Sequence, residues 1–206
     1  MLGIEPYTKT GTARIAAMAA ALAQIDRWNI PGAVVECGVW KGGNIILARK
    51  LSPKRVCWLY DTFDGMTEPT EIDISRKGIL ALKSYKKKER RGDKWCAASV
   101  DEVRANLQEM GVLDEGRLRF VVGRVEDTLT KVGNLPHEIA LLRLDTDWYA
   151  STKVELEILW PRVAKGGILI VDDYGHWDGA RKAVDEYFGT NLRMKKIDYS
   201  AIRIVK

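Results

Sequence analysis

The sequence predicts an α/β fold built on a mainly parallel sheet. Three observations carry that reading. Short apolar runs (AVVECGV, RVCWLYD, IALLRLD, ILIVDD) alternate with stretches of helical character, the pattern of consecutive βαβ units. The runs are almost uninterrupted rather than alternating, as strands covered by helices on both faces are. Acids also fall toward their carboxyl ends: Glu36 in the first, Asp61 ending the second, then Asp145 and the pair Asp172–Asp173. Ligands of open parallel sheets bind outside those ends. One such acid is commonly a helix cap, but several on one edge of one sheet mark a site.

Taken in order, residues 11–28 read as a helix rich in Ala, Ile and Met, stopped by Pro31–Gly32. Residues 33–39 form the first strand, and Gly42–Gly43 opens a helix through Lys50. Residues 55–61 are the second strand, 62–75 a loop and 76–91 a surface helix. Ser99 with Glu102 is a capping box for a helix over 99–110. Residues 117–122 are the third strand, followed by a short helix near 125–131. A fourth strand spans 139–145 and a helix spans 151–163. Lys165–Gly167 turns into strand 168–172, and a helix follows at 178–188. The tail 192–205 reads as two strands with a turn near Asp198–Ser200.

The 206 residues suit one domain, 1–206, with an N-terminal helical cap (1–30) and a basic insert or lid (62–98). Such a chain buries a large core without disulfides or structural metal. Cys37, Cys57 and Cys96 match no zinc spacing and no disulfide scaffold, so a reducing, cytoplasmic setting is expected. No apolar run is long enough to span a membrane. Residues 76–94 hold nine Lys or Arg and two acids, a net +7 where the whole chain carries +5. The basic excess is therefore local, and any argument for nucleic acid rests on this segment alone.

VECGVWKGG (35–43) places small residues after the first strand, where backbone can approach a ligand. Its glycine spacing is not that of nicotinamide enzymes. Asp61, ending the second strand, suits the two hydroxyls of a ribose, and together the two features indicate an adenosine ligand. No phosphate-cradling G-x-x-x-x-G-K-[ST] loop is present. Asp145, Asp172 and Asp173 end two strands, and three converging carboxylates repel unless a cation or protons compensate. Oxygen ligands without His or Cys suit Mg²⁺, Mn²⁺ or Ca²⁺. Asp147 stands open between metal ligand, general base and helix cap. His176 is either a substrate contact or a bland loop residue. Trp40, Trp148 and Trp177 either wall a sugar face or simply pack. The Cys37 thiol has no partner base and reads as a small buried residue.

ECGVWKGG, YDTFDGM (60–66), LRLDTDWYAST (142–152) and GGILIVDDYGHW (166–177) together resemble the macrocin O-methyltransferase family, S-adenosylmethionine- and metal-dependent enzymes that methylate sugars of antibiotics. The resemblance implies a Rossmann-like class I methyltransferase fold: seven strands, mainly parallel, the last antiparallel, with helices on both faces. It implies that Glu36, Cys37, Gly38, Val39, Trp40 and Gly42 pass the methionine part of the donor. Asp61, Thr62, Phe63 and Met66 would flank the ribose, Gly123, Arg124 and Val125 the adenine, and Asp145 would also face the donor. Asp145, Asp172 and Asp173 match the family's Mg²⁺ ligands, with Asp145 or Asp147 of the LDTDWY block as the catalytic base. The implied partners are a small-molecule acceptor, a sugar, and optionally further copies of the chain, with no membrane. The rivals are a catechol or phenol O-methyltransferase and, less favoured, an RNA methyltransferase using segment 76–94. That segment has two further readings, a solvated lid or an attractor for an acceptor bearing phosphate or carboxylate.

Overall fold

The computed structural model describes residues 3–189 and 193–206. Seven strands form one sheet: β1 (Ala33–Cys37), β2 (Cys57–Asp61), β3 (Leu118–Val122), β4 (Ile139–Leu144), β5 (Val163–Val171), β6 (Met194–Lys196) and β7 (Ile202–Val205). Their order is β3-β2-β1-β4-β5-β7-β6. Every pairing from β3 to β5 is parallel, and β7 runs antiparallel between β5 and β6. Order reverses between β1 and β4, so the chain leaves their carboxyl ends toward opposite faces of the sheet and a crevice forms between the two loops, as expected of such sheets. Gly38 sits in that crevice with φ +84°, and a Cβ there would lie 2.0 Å from the Asp145 carbonyl oxygen. Only glycine permits this approach of the two strand ends.

Helices cover both faces. One core joins α1 (Thr12–Arg27), α2 (Gly43–Leu51) and α4 (Val100–Glu109) to the sheet through Leu22, Ile25, Ile46, Leu47 and Leu107, all fully buried. The other holds α6 (Tyr149–Leu159) and α7 (Asp178–Phe188) through Leu156, Leu159 and Val184, with the short α5 (Val125–Thr128) beside them. The N-terminal helix is thus integral to one layer of the core. Ser99 caps α4 as expected, its hydroxyl accepting from the Glu102 amide at 3.1 Å.

Two elements differ from expectation. The helix expected over 151–163 ends at Leu159, because Pro161 turns the chain into a 3₁₀ turn, Trp160–Arg162, and β5 begins at Val163. The basic helix is shorter than 76–91: α3 spans Ala81–Glu89, and Ile74 bridges Leu80 in a tight antiparallel turn around Gly78 (φ +72°). The tail forms the expected two strands, although Leu192 lies outside the described residues. No helix among the described residues is long and apolar enough to cross a membrane.

Segment 62–98 is stapled to the body. Ser75 pairs with Trp177, the Arg76 amide donates to the His176 carbonyl at 2.7 Å, and Asp178 donates back to Ile74 at 2.9 Å. Asp73 is fully buried and accepts from Thr70 and from the Tyr149 amide at the start of α6. Gly179 leaves room for it, since a Cβ there would stand 2.1 Å from Asp73 Oδ1.

Candidate active site

A cavity of about 250 Å³ opens at the carboxyl ends of β1, β2, β3 and β4. Gly38, Val39, Trp40, Asp61, Thr62, Met66, Gly123, Arg124, Val125, Asp145, Asp147 and Asp172 line it. Most residues expected around the donor therefore converge on one hollow, although they come from four separate loops. Trp40, Phe63, Cys96 and Asp147 all take left-handed backbone conformations (φ +47° to +66°). Such conformations are costly for residues with a side chain and cluster where a site over-determines the chain.

Asp61 organises the side of the cavity built by the loops after β1 and β2. Its Oδ2 accepts from the amides of Val39 (2.7 Å) and Trp40 (3.0 Å), and its Oδ1 from the Phe63 amide (2.9 Å). One carboxylate thus ties the β1 loop to the β2 loop. Four residues expected at the donor lie behind the cavity wall. Glu36 is fully buried, with Oε1 accepting from Arg143 (2.8 Å) and Asn44 (3.0 Å). Cys37 is fully buried in the core on the far side of the sheet. Phe63 packs on Phe120, ring centroids 5.8 Å apart. Gly42 caps α2 against Val103. The N-terminal segment supplies lining that the sequence reading did not include: Tyr7 through Thr10, and Arg14. Lys9 holds its ammonium 4.6 Å from the Trp40 ring centroid and 3.1 Å from Cys96 Sγ.

The acids form two groups. Asp145, Asp147 and Asp173 bring one carboxylate oxygen each within 4.8 Å of the others. Asp172 is turned away, one oxygen on Arg143 and the other on Arg14. Asp172, expected in the cation set, is thus held by two guanidinium groups, and Asp147 occupies the third place in the cluster. Arg143 is the hub. Only 1% exposed, it also donates to Asp145 at 2.7 Å and to the Thr10 hydroxyl at 3.2 Å. Arg14 divides itself between Asp172 and Asp198 (2.7 Å). Asp147 Oδ1 accepts from Trp177 Nε1 at 3.0 Å.

Burial raises the acid of Asp145 to about 6, with Arg143 opposing and Asp172 adding to the rise. Burial, then the charge of Asp145, takes Asp147 to about 7. Burial and the charges of Asp147, Asp145 and Asp172 raise Asp173 well above the usual carboxylate range. Asp173 Oδ2 is buried with no hydrogen-bond partner. An all-oxygen, carboxylate-rich pocket with an orphaned acceptor and an excess of acids over arginines fits a hard divalent cation. His176 is pulled below its ordinary value by burial and by Arg14, Arg76 and Lys77.

Aromatic rings close the cluster's outer side. Trp148 meets Trp177 edge-on at 5.1 Å and Trp95 at 5.9 Å, so two of the tryptophans noted in the sequence pack on each other where insert and body join, while Trp40 lines the cavity.

Comparison with known proteins bears on what this cavity does. Residues 4–204 match the macrocin-O-methyltransferase (TylF) family. Demethyldecarbamoylnovobiocin O-methyltransferase of Streptomyces niveus is 35% identical over 187 residues, covering 88% of this chain and 67% of that protein. The 8-demethyl-8-(2,3-dimethoxy-alpha-L-rhamnosyl)-tetracenomycin-C 4'-O-methyltransferase of Streptomyces olivaceus is 34% identical over 188 residues, 89% of this chain and 68% of that one. The solved structure of the O-methyltransferase NovP shares the fold with a TM-score of 0.80 at 32% identity, over 97% of this chain and 82% of that chain.

Proposed function

The chain belongs to the macrocin-O-methyltransferase family, and on that premise we propose that it transfers the methyl group of S-adenosylmethionine to a hydroxyl of a sugar or glycosylated small molecule, with the help of a divalent cation. The observation that carries this reading is the juxtaposition of two half-sites in one cavity: the Asp61-tied loops and the acid cluster. The tetracenomycin relative is named for methylating a 4'-hydroxyl of a rhamnosyl compound, which supports a sugar acceptor over a phenol or RNA.

In this reading the loops of Gly38–Trp40, Thr62 and Gly123–Val125 hold the donor with its methyl facing the acids. Asp145 and Asp173 would hold the cation, and Asp172 would join them only by releasing an arginine. A divalent cation supplies Lewis acidity, lowering the pKa of a hydroxyl and orienting neighbouring oxygens. Asp147 accepts the hydroxyl proton as the acceptor oxygen bonds to the methyl carbon and the sulfur–carbon bond breaks. Burial raises its pKa above the usual carboxylate range, which makes it a stronger base than an exposed carboxylate. Trp177 fixes which Asp147 oxygen faces the cluster. Trp148 and Trp177 keep water from that side, and the protein's remaining task is alignment, because the sulfonium already carries its leaving group.

Calorimetry with S-adenosylhomocysteine tests the donor half. Wild type should bind one equivalent, and Asp61→Ala, having lost the acceptor for three loop amides, should bind at least tenfold more weakly. Equal affinity in a folded Asp61→Ala protein would remove the assignment.

A further inference from the structure

Beyond Asp172 and Asp173 the surface changes sign. Tyr199, 57% exposed, stands between two guanidinium groups, with Arg76 at 4.8 Å and Arg14 at 5.7 Å from its ring centroid. His176 meets the same ring at 6.2 Å, and its Nδ1 is buried without a partner. Arg14 is neutralised by Asp172 and Asp198. Arg76 and Lys77 are exposed, and neither has a carboxylate partner among the ion pairs of the described residues. Their place is nevertheless fixed, because the Arg76 amide is bound to the His176 carbonyl and Ser75 is paired with Trp177. The His176 and Trp177 amides both donate to the Asp173 carbonyl (2.9 and 3.0 Å). One uncompensated cation, Arg76, is therefore anchored one turn from the acid cluster, and a second, Lys77, follows it in the chain.

We propose that Arg76 and Lys77, with the Tyr199 ring, form a subsite for a phosphate group on the sugar acceptor, a proposal that rests on the sugar methyltransferase reading above. A guanidinium offers paired donors that match phosphate oxygens, and Arg is preferred where such planar recognition matters. The Tyr199 face holds that guanidinium in a fixed place, which reduces the entropy lost on binding. A phosphorylated acceptor approaching the acid cluster meets repulsion that neighbouring cations offset. Of the nine basic residues in segment 76–94, Arg76 is attached to the site by a backbone hydrogen bond, and Lys77 is its chain neighbour. Lys86 and Lys87 sit in α3, and Lys86 lies 3.9 Å from Glu68. Exposed charges more than about 8 Å from a ligand are largely screened at physiological salt. Position, and not the number of charges, selects Arg76 and Lys77.

The test is calorimetry on the whole protein in EDTA, so that no cation bridges ligand and acids, with inorganic pyrophosphate, glucose 1-phosphate, UDP-glucose and glucose as probes. The proposal expects saturable binding of pyrophosphate, and of at least one phosphorylated sugar at least tenfold tighter than glucose. That binding should weaken as salt rises from 50 to 500 mM. Arg76→Ala with Lys77→Ala should weaken it at least tenfold, whereas Lys86→Ala, Lys87→Ala and Lys88→Ala together should change it less than twofold. Glucose 1-phosphate matching UDP-glucose would identify a simple sugar phosphate, and a clear preference for UDP-glucose a nucleotide-linked sugar. Absence of saturable pyrophosphate binding, or an Arg76/Lys77 variant within twofold of wild type, would overturn the subsite. S-adenosylhomocysteine affinity is measured on every protein. Its retention shows that a variant is folded, and its absence in wild type would sink the donor reading and not this one. Should the double alanine variant fail to fold, Arg76→Gln with Lys77→Gln carries the same expectation.

Discussion

Arg143 provides the most demanding test of how the acid centre is held. Arg143→Met keeps much of the side-chain volume and removes the one cation shared by Glu36, Asp145 and Asp172. Asp172 keeps Arg14, whereas Asp145 is left with only carboxylates around it. Glu36, fully buried, keeps only Asn44. Removing one partner of a buried ion pair costs about 3–5 kcal/mol, against a total stability of about 5–15 kcal/mol for a typical domain. At ~2–4 °C per kcal/mol for a chain of this size, the midpoint of thermal unfolding should fall by about 6–20 °C. The loss should depend on pH. Burial already raises Glu36 to about 7, against the lowering effect of Arg143. The native state therefore holds a proton that the unfolded chain gives up near its ordinary pKa of about 4.3, and stability falls as pH rises through that window. Without Arg143 the folded pKa rises further and the window widens, so the gap between wild type and variant should grow from pH 5 to pH 8. Guanidinium unfolding of both proteins at both pH values measures it, with equal slopes showing that the comparison is fair. A gap under 1 kcal/mol at pH 8, or one that does not change with pH, would refute the hub.

Three further outcomes follow from named contacts. Trp177→Phe keeps the ring against Trp148 but loses the hydrogen bond to Asp147. At about 1.5–3 kcal/mol for a bond to a charged group, kcat should drop roughly ten- to hundredfold with donor KM unchanged, and steady-state kinetics showing kcat within twofold would free Asp147 from Trp177. Asp173→Asn should abolish detectable Mg²⁺ binding by calorimetry while S-adenosylhomocysteine affinity stays within twofold; undiminished Mg²⁺ binding would move the cation elsewhere. Glu155 is fully buried against the Thr146 hydroxyl (3.0 Å), and burial raises its pKa well above the usual range. It keeps its proton in the native state and loses it on unfolding, so it costs stability increasingly above pH 4–5. Glu155→Gln should therefore gain stability at pH 8 relative to pH 5 in thermal unfolding, and an equal effect at both values would contradict a protonated Glu155.

Much of the fold is legible in the sequence because β1, β2, β4 and β5 are covered on both faces and read as apolar runs. The strand-end acids are legible for the same reason, as charges where such runs stop. Arg143 also carries a signal in the sequence. An arginine inside LLRLD, within a strand buried on both faces, needs a buried partner, and Glu36 inside VVEC is the matching charge, its register partner across β1 and β4. Arg14 left no such trace, because it meets Asp172 only after 158 residues of chain have folded. The same holds for the division of the acids: spacing places Asp172 beside Asp173, but only the arrival of Arg14 and Arg143 decides that Asp172 turns from the cluster. The basic run reads as one helix because its charge dominates the pattern, whereas the chain turns at Gly78 back toward Trp177 and only Ala81–Glu89 is helical.

Methyl transfer itself tests the central claim most directly. Purified protein is incubated with S-adenosylmethionine and a panel of rhamnosylated and other glycosylated natural products, sugar phosphates, catechols and RNA, with Mg²⁺ or with EDTA. Release of S-adenosylhomocysteine is followed together with the mass of the acceptor. The account predicts a gain of one methyl group on the sugar of at least one glycoside or sugar phosphate, with Mg²⁺ and not with EDTA. Methylation confined to catechol or RNA, or undiminished turnover in EDTA, would contradict it.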